Sequence, residues 1–341
     1  MRVLIVKLSS LGDVVHTMPV VHDIRAAHPG ALIDWVVEPG FAPLVRRVDG
    51  VCQVIECALR RWTRTWWSPG VRSEWRTFRE RLQCERYDAV LDLQGLTKSA
   101  VVARLAHGVS YGLENRTDGA SFEAPARWLV DHPIRIEPHI HALDRARELA
   151  ARALGDRVAG PPQFGLRAHA APSSGAPTVA LVHGTSRADK LWPEASWIEL
   201  GRRALREGWR VALPHAGPQE RDRAQRIAGA LGEGAQVWPE MGLDALVDRL
   251  AATQGVVGVD SGLSHIAVAL SLPHVQIYNW PTAWRTGPLA THGHRHQVSV
   301  QVSSQGDGPA QAPLPPSLEA VWAAWASVRS AAPGASACPV V

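Results

Sequence analysis

Short apolar runs alternate with amphipathic stretches along the first half of the chain. The apolar runs predict buried strands at residues 3–7, 32–38, 53–57 and 89–94. The amphipathic stretches, in which apolar residues recur every three or four positions, predict helices at 14–27, 72–85, 99–106 and 142–154. Because strands that alternate with helices form parallel sheets covered on both faces, we expect an α/β domain of the doubly wound type.

A stretch rich in Pro, Gly and Ser interrupts this pattern between residues 160 and 177 and predicts a linker. The pattern then restarts, with strands predicted at 178–183, 210–214, 256–260 and 274–278 and helices at 193–206, 219–231, 243–252 and 263–270. The expected segments are an N-terminal domain (1–160), a linker (161–177), a second domain (178–316), a C-terminal helix (317–330) and a disordered tail (331–341).

The composition fits a cytoplasmic protein with two domains. The 341 residues are 46% hydrophobic, which is enough for two cores of ordinary size. No apolar run reaches the ~18 residues that a membrane helix needs, and the first strand is not preceded by a signal segment. The four cysteines have neither CxxC spacing nor the density of a disulfide scaffold, which favours a reducing compartment.

Several site patterns are missing from the sequence. The first strand is not followed by GxGxxG, which counts against a nicotinamide- or flavin-dependent dehydrogenase. The His-rich stretch 292–296 has no carboxylate or cysteine beside it that would complete a metal site, so we expect a surface loop there and neither metal nor cofactor. Since the net charge is only +4 and no nucleic-acid module is recognisable, we expect no nucleic-acid partner.

The first candidate for chemistry is Asp13. It follows the first strand and a Ser/Gly loop and lies at the start of a helix, which is where open α/β sheets build their sites. A carboxylate there can act as a general base for an attacking hydroxyl. Asp is equally a good helix N-cap, which would only accept backbone N–H bonds. The sequence leaves both interpretations open, although residue 16 is not the Glu or Gln that completes a capping box.

A second candidate lies at residues 256–265, which have the pattern of a strand, a tight turn and a helix. Asp260 ends the strand, Gly262 allows close approach of a ligand, and the free N–H groups of the helix start favour an anion such as a diphosphate. An ordinary turn capped by Ser261 would have the same pattern, and His265 could equally be a partly buried histidine with a local partner.

A third candidate is the polar loop at residues 183–193, which contains Thr185 and Ser186. Lys190, one of only three lysines in the chain, precedes a helix that begins with Pro and could present its ammonium to phosphate oxygens. A lysine whose charge is simply solvated in a surface loop would give the same sequence pattern. Glu220 lies at the corresponding edge of the next strand–helix unit and could bind ribose hydroxyls.

Arginine and tryptophan are interleaved between residues 60 and 79, beginning with Arg60, Arg61 and Arg64. Arg binds phosphate in a bidentate manner and Trp prefers the interfacial zone of a bilayer, so this segment favours an anionic amphiphile as partner. The alternative is a solvated arginine face over a buried stripe of tryptophan.

Five motifs together resemble the lipopolysaccharide heptosyltransferases of glycosyltransferase family 9, and among them the type I enzymes, which attach the first heptose of the inner core. The motifs are VKLSSLGDVVHT at 6–17, DWVVE at 34–38, DLQGLTKSA at 92–100, DKLWP at 189–193 and VDSGLSH at 259–265. They occur in the family's order and span about residues 1–280.

The resemblance implies a GT-B fold, in which two Rossmann-like doubly wound domains face each other across a central cleft. The N-terminal domain would bind the acceptor, Kdo2-lipid A, and the C-terminal domain the donor, ADP-heptose. The reaction would be an inverting, metal-independent transfer of L-glycero-D-manno-heptose to Kdo. It would be catalysed by a monomer peripheral to the cytoplasmic face of the inner membrane.

The resemblance also assigns roles by position. Asp13 matches the family's catalytic base. The implied donor-binding residues are Thr185, Ser186, Lys190, Glu220, Asp260, Ser261, Gly262 and His265. The implied acceptor-binding residues are Ser10, Gly12, Arg60, Arg61, Arg64, Gln94, Lys98 and His141.

Two segments depart from the family, and in one of them an arginine expected on the acceptor side around Gly119 is missing, although Arg116 lies close to it. After Tyr278 the family has Gly-Pro-Thr-Asp-Pro, whereas NWPTAW at 279–284 has an extra residue and lacks the acid. The DKLWP loop at 189–193 favours type I over type II. The alternative functions are a type II heptosyltransferase, another GT-B sugar-nucleotide enzyme such as an epimerase, and a non-catalytic protein that binds a nucleotide sugar or a lipid.

Overall fold

The computed structural model describes residues 1–169, 175–289, 292–293, 296–302 and 314–330. The chain forms two compact units, Met1–Arg167 and Ala168–Val341, and the division between them falls inside the predicted linker. The first part of that segment packs on unit 1, because Leu166 bridges to Val48. Residues 170–174 of the predicted linker and the predicted tail at 331–341 lie outside the described residues.

Unit 1 contains a six-stranded parallel sheet in the order β3-β2-β1-β4-β5-β6. Its strands are β1 (Arg2–Val6), β2 (Leu32–Val37), β3 (Val51–Glu56), β4 (Arg86–Asp92), β5 (His107–Leu113) and β6 (His132–Ile134). Its helices are α1 (Leu11–Ala27), α2 (Ala42–Val45), α3 (Leu59–Trp62), α4 (Pro69–Gln83), α5 (Thr97–Leu105), α6 (Ala126–Leu129) and α7 (Ala142–Leu154).

The apolar run at the start of the chain forms the centre of this sheet, and its residues from Val3 to Val6 are fully buried. Val6 pairs with Val36 on one side and with Asp92 on the other. Because these strands end at the same level, the loops that follow β1 and β4 are neighbours at one edge. The strand order reverses between β1 and β4, and such a point is where open α/β sheets bind their ligands.

Unit 2 contains a second six-stranded parallel sheet, in the order β12-β11-β10-β7-β8-β9. Its strands are β7 (Thr178–Val182), β8 (Arg210–Leu213), β9 (Ala235–Val237), β10 (Gly255–Val259), β11 (His274–Tyr278) and β12 (Gln297–Gln301). Its helices are α8 (Glu194–Arg206), α9 (Gly217–Leu231), α10 (Leu243–Ala251), α11 (Gly262–Ala269), α12 (Ala283–Thr286) and α13 (Leu318–Ser330).

Both sheets have the same Rossmann-type strand order, and in unit 2 the order reverses between β7 and β10. The core of this unit contains Trp192 and Trp197, whose rings meet edge to face at 5.0 Å. The C-terminal helix α13 completes the same core through Trp325. The expected doubly wound α/β class is therefore confirmed for both units.

The elements with a clear apolar pattern are confirmed. The helix at Ala142–Leu154 and the strand at His274–Tyr278 have the predicted bounds, and the other predicted elements lie within a few residues of the observed ones. The sequence analysis missed β5, β6, β9 and β12. These strands lie toward the sheet edges, where they are short, polar or glycine-containing, as in HGVSYGL of β5 and QVSVQ of β12, so their sequences lack an apolar run.

No helix in the described part of the chain is long and apolar enough to span a membrane. Cys52, Cys57 and Cys84 are free thiols, while Cys338 lies outside the described residues.

The expectation of a surface loop at 292–296 is wrong at its first residue, since the His292 side chain is buried. Residues 294 and 295 are not among those described.

Candidate active site

In unit 1 the candidate residues gather at the point where the strand order reverses. The loop after β1 delivers Asp13 to the first turn of α1, and the N-cap of that helix is Ser10 rather than Asp13. Asp13 Oδ2 accepts hydrogen bonds from the backbone N–H of Ser10 at 3.1 Å and from its hydroxyl at 2.8 Å. The side chain of Asp13 remains 39% exposed. Asp13 is therefore not the N-cap, but it completes a capping box with Ser10, which the sequence analysis did not expect, and it accepts a backbone N–H at the helix start. The same contacts hold a solvent-accessible carboxylate in a fixed orientation.

A buried lysine lies directly behind this carboxylate. Lys7 Nζ is 3.8 Å from Asp13 Oδ1 and donates a hydrogen bond to the Leu93 carbonyl at 3.0 Å. Burial by itself would raise the pKa of Asp13, but the Lys7 ammonium, the bonds from Ser10 and the nearby Arg145 guanidinium outweigh it and hold that pKa well below its usual range. Asp13 is therefore ionised at any physiological pH.

The loop after β4 braces the loop after β1. Gln94 Oε1 accepts the backbone N–H of Leu8 at 2.8 Å, so this predicted acceptor residue is buried and fixes the backbone that leads to Asp13. Asp92 in turn accepts the N–H of Gln94 at 3.0 Å and the hydroxyl of Ser99 at 3.1 Å. Burial raises the pKa of Asp92 to about 6, against the effect of these hydrogen bonds.

The remaining predicted acceptor residues fall into two groups. Near Asp13, Gly12 lies in the first turn of α1, and Arg60 donates a hydrogen bond to the Ser9 hydroxyl at 3.1 Å and pairs with Glu38 at 3.0 Å. His141 is buried as the N-cap of α7 and meets the ring of His16, one turn after Asp13 on α1, at 5.7 Å.

The other predicted residues of this set have different surroundings. Arg61 forms an ion pair with Glu74 of α4, at 3.0 Å between Nη1 and Oε1, so its guanidinium is engaged away from the loop after β1. Arg64 is exposed in the turn after α3, and Lys98 is half-buried on α5.

In unit 2 three of the predicted donor residues converge on a fourth, Asp260. Its carboxylate binds Lys190 Nζ at 2.6 Å and lies 3.4 Å from His265 Nε2, while its carbonyl accepts the Thr185 hydroxyl at 3.0 Å. Burial by itself would raise the pKa of Asp260, but His265 and Lys190 outweigh it and hold that pKa well below its usual range. The loops after β7 and β10 are thus joined by an ion pair at the reversal point of the second sheet.

The start of α11 adds backbone donors beside this cluster. Gly262 is the first residue of the helix and Ser261 is its N-cap, whose hydroxyl accepts the N–H of Ser264 at 3.5 Å. The capping interpretation of Ser261 is correct, and it is compatible with anion binding, because the unpaired N–H groups of the first turn remain available. Ser186 is exposed in the neighbouring loop.

Glu220 lies against the end of β7. Its Oε2 accepts the backbone N–H of Ala216 at 2.7 Å, which fixes the carboxylate in the first turn of α9. A Cβ atom on Gly184 would overlap the carboxylate of Glu220, so the glycine is what permits this close approach. Since Gly184 precedes Thr185, Glu220 lies at the same edge as the Asp260 cluster.

Sequence reasoning missed two kinds of residue. Lys7 lies inside a quoted motif and is one of three lysines, so the scarcity that pointed to Lys190 would also have pointed to it. Asn279, in the segment that departs from the family, donates its side-chain amide to the carbonyls of Asp189 at 3.2 Å and Leu191 at 2.9 Å. It therefore holds the loop that carries Lys190, a contact that no local sequence signal reveals.

Comparisons with known proteins show which family this chain resembles. A family model described as glycosyltransferase family 9 (heptosyltransferase) matches residues 75–307. Lipopolysaccharide heptosyltransferase 1 of Escherichia coli K12 is 41% identical over 283 residues, which cover 82% of this chain and 88% of the relative. Lipopolysaccharide heptosyltransferase 2 of the same strain is 27% identical over 321 residues, covering 85% and 86%.

A solved structure extends the likeness to the fold. The structure described as E. coli heptosyltransferase WaaC with ADP-2-deoxy-2-fluoro heptose is 38% identical and has a TM-score of 0.76, covering 89% of this chain and 94% of the other. With the two parallel α/β units, this match confirms the expected GT-B class of fold.

Proposed function

Because this chain belongs to glycosyltransferase family 9, the heptosyltransferases, we propose that it transfers L-glycero-D-manno-heptose from ADP-heptose to Kdo of Kdo2-lipid A. One observation carries the proposal: the residues at the two points where the strand order reverses suit the two halves of a transfer reaction. The point in unit 1 holds an ionised, accessible carboxylate. The point in unit 2 holds a buried acid which orients a lysine beside a helix start. The first suits an attacking alcohol and the second a departing diphosphate.

In the proposed reaction a Kdo hydroxyl attacks the anomeric carbon of heptose and Asp13 accepts its proton. The new C–O bond forms as the bond between the anomeric carbon and the diphosphate oxygen breaks, so ADP departs with the electron pair and the configuration inverts. Negative charge grows on the departing diphosphate. Lys190 and the N–H groups at Ser261 and Gly262 can offset it, because fixed dipoles and charges stabilise charge that develops in the transition state.

The other predicted residues take supporting roles in this proposal. Glu220 binds ribose hydroxyls, since a carboxylate fixed by a backbone bond is a good acceptor for a diol. Arg60 and Arg64 bind the acceptor's phosphates and Arg61 fixes α4 through Glu74, while Ser10, Gly12, Gln94, Lys98 and His141 shape the acceptor edge. Thr185, Asp260 and His265 position Lys190, and Ser186 contacts the donor.

We further propose that the protein works at the cytoplasmic surface of the inner membrane as a peripheral monomer, because its acceptor is a membrane lipid. We expect no metal requirement, since Lys190 and the helix start supply the positive charge that a divalent ion would otherwise provide. A chelator should therefore leave the rate unchanged.

The test is ADP release from ADP-heptose in the presence and absence of Kdo2-lipid A. The proposal predicts release that depends on this acceptor, with one heptose added to it. Release only with an acceptor that already carries a heptose would instead identify a type II enzyme, and binding of ADP-heptose without any transfer would identify a non-catalytic binding protein. The higher identity to heptosyltransferase 1 than to heptosyltransferase 2 favours the first outcome.

A further inference from the structure

An apolar groove of about 340 Å³ lies on unit 1 between α3 and the first turns of α4. Its lining residues belong to these helices and the turn between them: Leu59, Trp62, Thr63, Trp66, Val71, Arg72 and Trp75. The floor is well packed, because Trp62 is buried and meets the ring of Trp75 edge to face at 5.6 Å. The Trp66 side of the groove is open to solvent, since that side chain is 67% exposed.

The groove presents almost no hydrogen-bonding groups. The hydroxyl of Thr63 donates to the Leu59 carbonyl at 2.9 Å, and the indole N–H of Trp62 donates to Glu74 at 2.8 Å. A peptide strand laid in this groove would leave its own N–H and C=O groups without partners, at a cost for each. An occupant made only of methylene groups has no such requirement, so the groove fits a hydrocarbon chain.

The surroundings of the groove carry positive charge. The segment 58–83 contains seven arginines and two glutamates, and one of those glutamates is already paired with Arg61. Exposed arginines beside an apolar groove complement a molecule with phosphate groups at one end and a hydrocarbon chain at the other. The alternative interpretation, a solvated arginine face over a buried stripe of tryptophan, does not hold for Trp66 and Trp67, which are exposed, whereas Trp62 is buried.

The groove is connected to the loop before Asp13 through a short chain of contacts. Arg60, on the same helix as Leu59 and Trp62, donates to the Ser9 hydroxyl, and the next residue, Ser10, donates to Asp13. A lipid whose sugar lies at Asp13 would therefore bring its phosphates to these arginines and its chain to the groove.

We propose that the groove binds one fatty acyl chain of the phosphorylated lipid acceptor, so that the enzyme recognises the lipid as well as the sugar. This inference rests on the proposed function. Each buried methylene of an acyl chain contributes favourably to binding. The acylated acceptor is therefore bound more tightly than the same molecule without its chains.

The kinetic test compares Kdo2-lipid A with its fully deacylated form, each kept below its aggregation limit or in matched detergent. For the wild-type protein, deacylation should raise KM by about tenfold or more. Thr63→Leu, which fills the groove, and Trp66→Ala, which removes one wall, should reduce this ratio toward one and leave the kinetics on the deacylated acceptor unchanged. Trp128→Ala is the matched control, because Trp128 is 69% exposed and does not line the groove.

A loss of rate that is equal on both acceptors would overturn the proposal, since it would reflect a change in fold or in sugar binding. An effect of Trp128→Ala equal to that of Trp66→Ala would also overturn it, because general surface hydrophobicity would then suffice. If neither acceptor is turned over by the wild-type protein, the proposed function fails instead.

A second measurement tests the groove without turnover. Vesicles that contain a phosphatidic acid with a photoactivatable diazirine on its acyl chain should label the tryptic peptide 65–72, which contains Trp66 and Val71, and Thr63→Leu should reduce that labelling several-fold. Labelling confined to other peptides would reject an acyl site here. Concentration-dependent dimerisation that Thr63→Leu abolishes would show that a second copy of the chain, not a lipid, covers the groove.

Discussion

At the scale of single residues, the proposed function depends on how Asp13 is held. Lys7 and Ser10 keep its carboxylate ionised and oriented while leaving it accessible. A base with a depressed pKa is weak toward a free alcohol. Proton transfer to Asp13 should therefore occur late, when the attacking oxygen has begun to bond to the sugar and its proton has become acidic.

Replacement of Lys7 tests this electrostatic role. In Lys7→Met the positive charge behind Asp13 is lost while its burial remains, so the pKa of Asp13 should rise. The pH profile of kcat/KM should then fall as the pH is lowered through the new pKa. The wild-type protein should show no such fall from Asp13 above about pH 4, because the wild-type pKa lies below the ordinary Asp value.

Lys7→Arg is the conservative variant, since it keeps the positive charge. As in the wild-type protein, its kcat/KM should therefore not fall at low pH. If Lys7→Met changes the rate at every pH by the same factor, Lys7 has only a structural role.

The sequence pointed to Asp13 and Lys190 because both follow a strand and precede a helix. It could not decide between a base and an N-cap at Asp13, because the deciding contacts come from Ser10 and from the buried Lys7. The resemblance assigns Gln94 to acceptor binding, and the structure adds a contact that the sequence did not indicate, since its side chain accepts the N–H of Leu8 across a separation of 86 residues. Contacts of that range depend on the sheet register, which no local pattern contains.

At the scale of elements, the site in unit 2 is built from strand ends and helix starts. Glu220 can lie beside β7 only because Gly184 has no Cβ. Asn279 ties the segment after β11 to the loop after β7. The altered sequence after Tyr278 thus has a definite role in the fold, which is to hold the loop of Lys190.

Gly184→Ala should displace the Glu220 carboxylate and weaken donor binding. Loss of a hydrogen bond to a charged group costs about 1.5–3 kcal/mol, so the KM for ADP-heptose should rise about 10- to 100-fold with a smaller change in kcat. Gly229→Ala is the matched control, since it lies on the same helix as Glu220 with open space around it. If the KM for ADP-heptose is the same in the wild-type and Gly184→Ala proteins, Glu220 does not contribute to donor binding.

The C-terminal helix α13 is part of the core of unit 2 and not an appendage. Trp325 is 1% exposed, meets the ring of Trp209 at 5.2 Å and packs where a Cβ on Gly255 would collide with it. The sequence predicted this helix but placed it apart from the second domain, because its breaker-rich approach looked like a boundary.

Trp325→Ala should therefore destabilise unit 2 by about 3–5 kcal/mol, the usual effect of removing a large buried aromatic side chain. Hydrogen exchange at the amides of β10 and β11 would report the loss. Trp322→Ala, on the same helix but half-buried, should cost clearly less. Unchanged protection in Trp325→Ala would show that α13 contributes little to the core.

At the scale of the whole molecule, one strand order occurs twice, and each unit carries its own candidate site at its own reversal point. The sequence was sufficient to predict two doubly wound α/β domains, because apolar runs alternate with amphipathic stretches in both halves, but the order of the strands came only from the structure. The edge strands β6, β9 and β12, and β5 next to an edge, were missed because strands at or near a sheet edge need no continuous apolar run. Because acceptor activation is assigned to unit 1 and donor binding to unit 2, we predict that substitutions at Asp13 leave the affinity for the donor unchanged.

The most direct measurement is therefore the comparison of turnover and donor binding in Asp13→Asn. Acceptor-dependent ADP release should fall by about 10²- to 10⁴-fold, the usual contribution of a general base, while the Kd for ADP measured by calorimetry stays at the wild-type value. Asp49→Asn, at a 60% exposed aspartate of the same unit, should leave both quantities unchanged. Turnover of Asp13→Asn at the wild-type rate would contradict the assignment of Asp13 as the base.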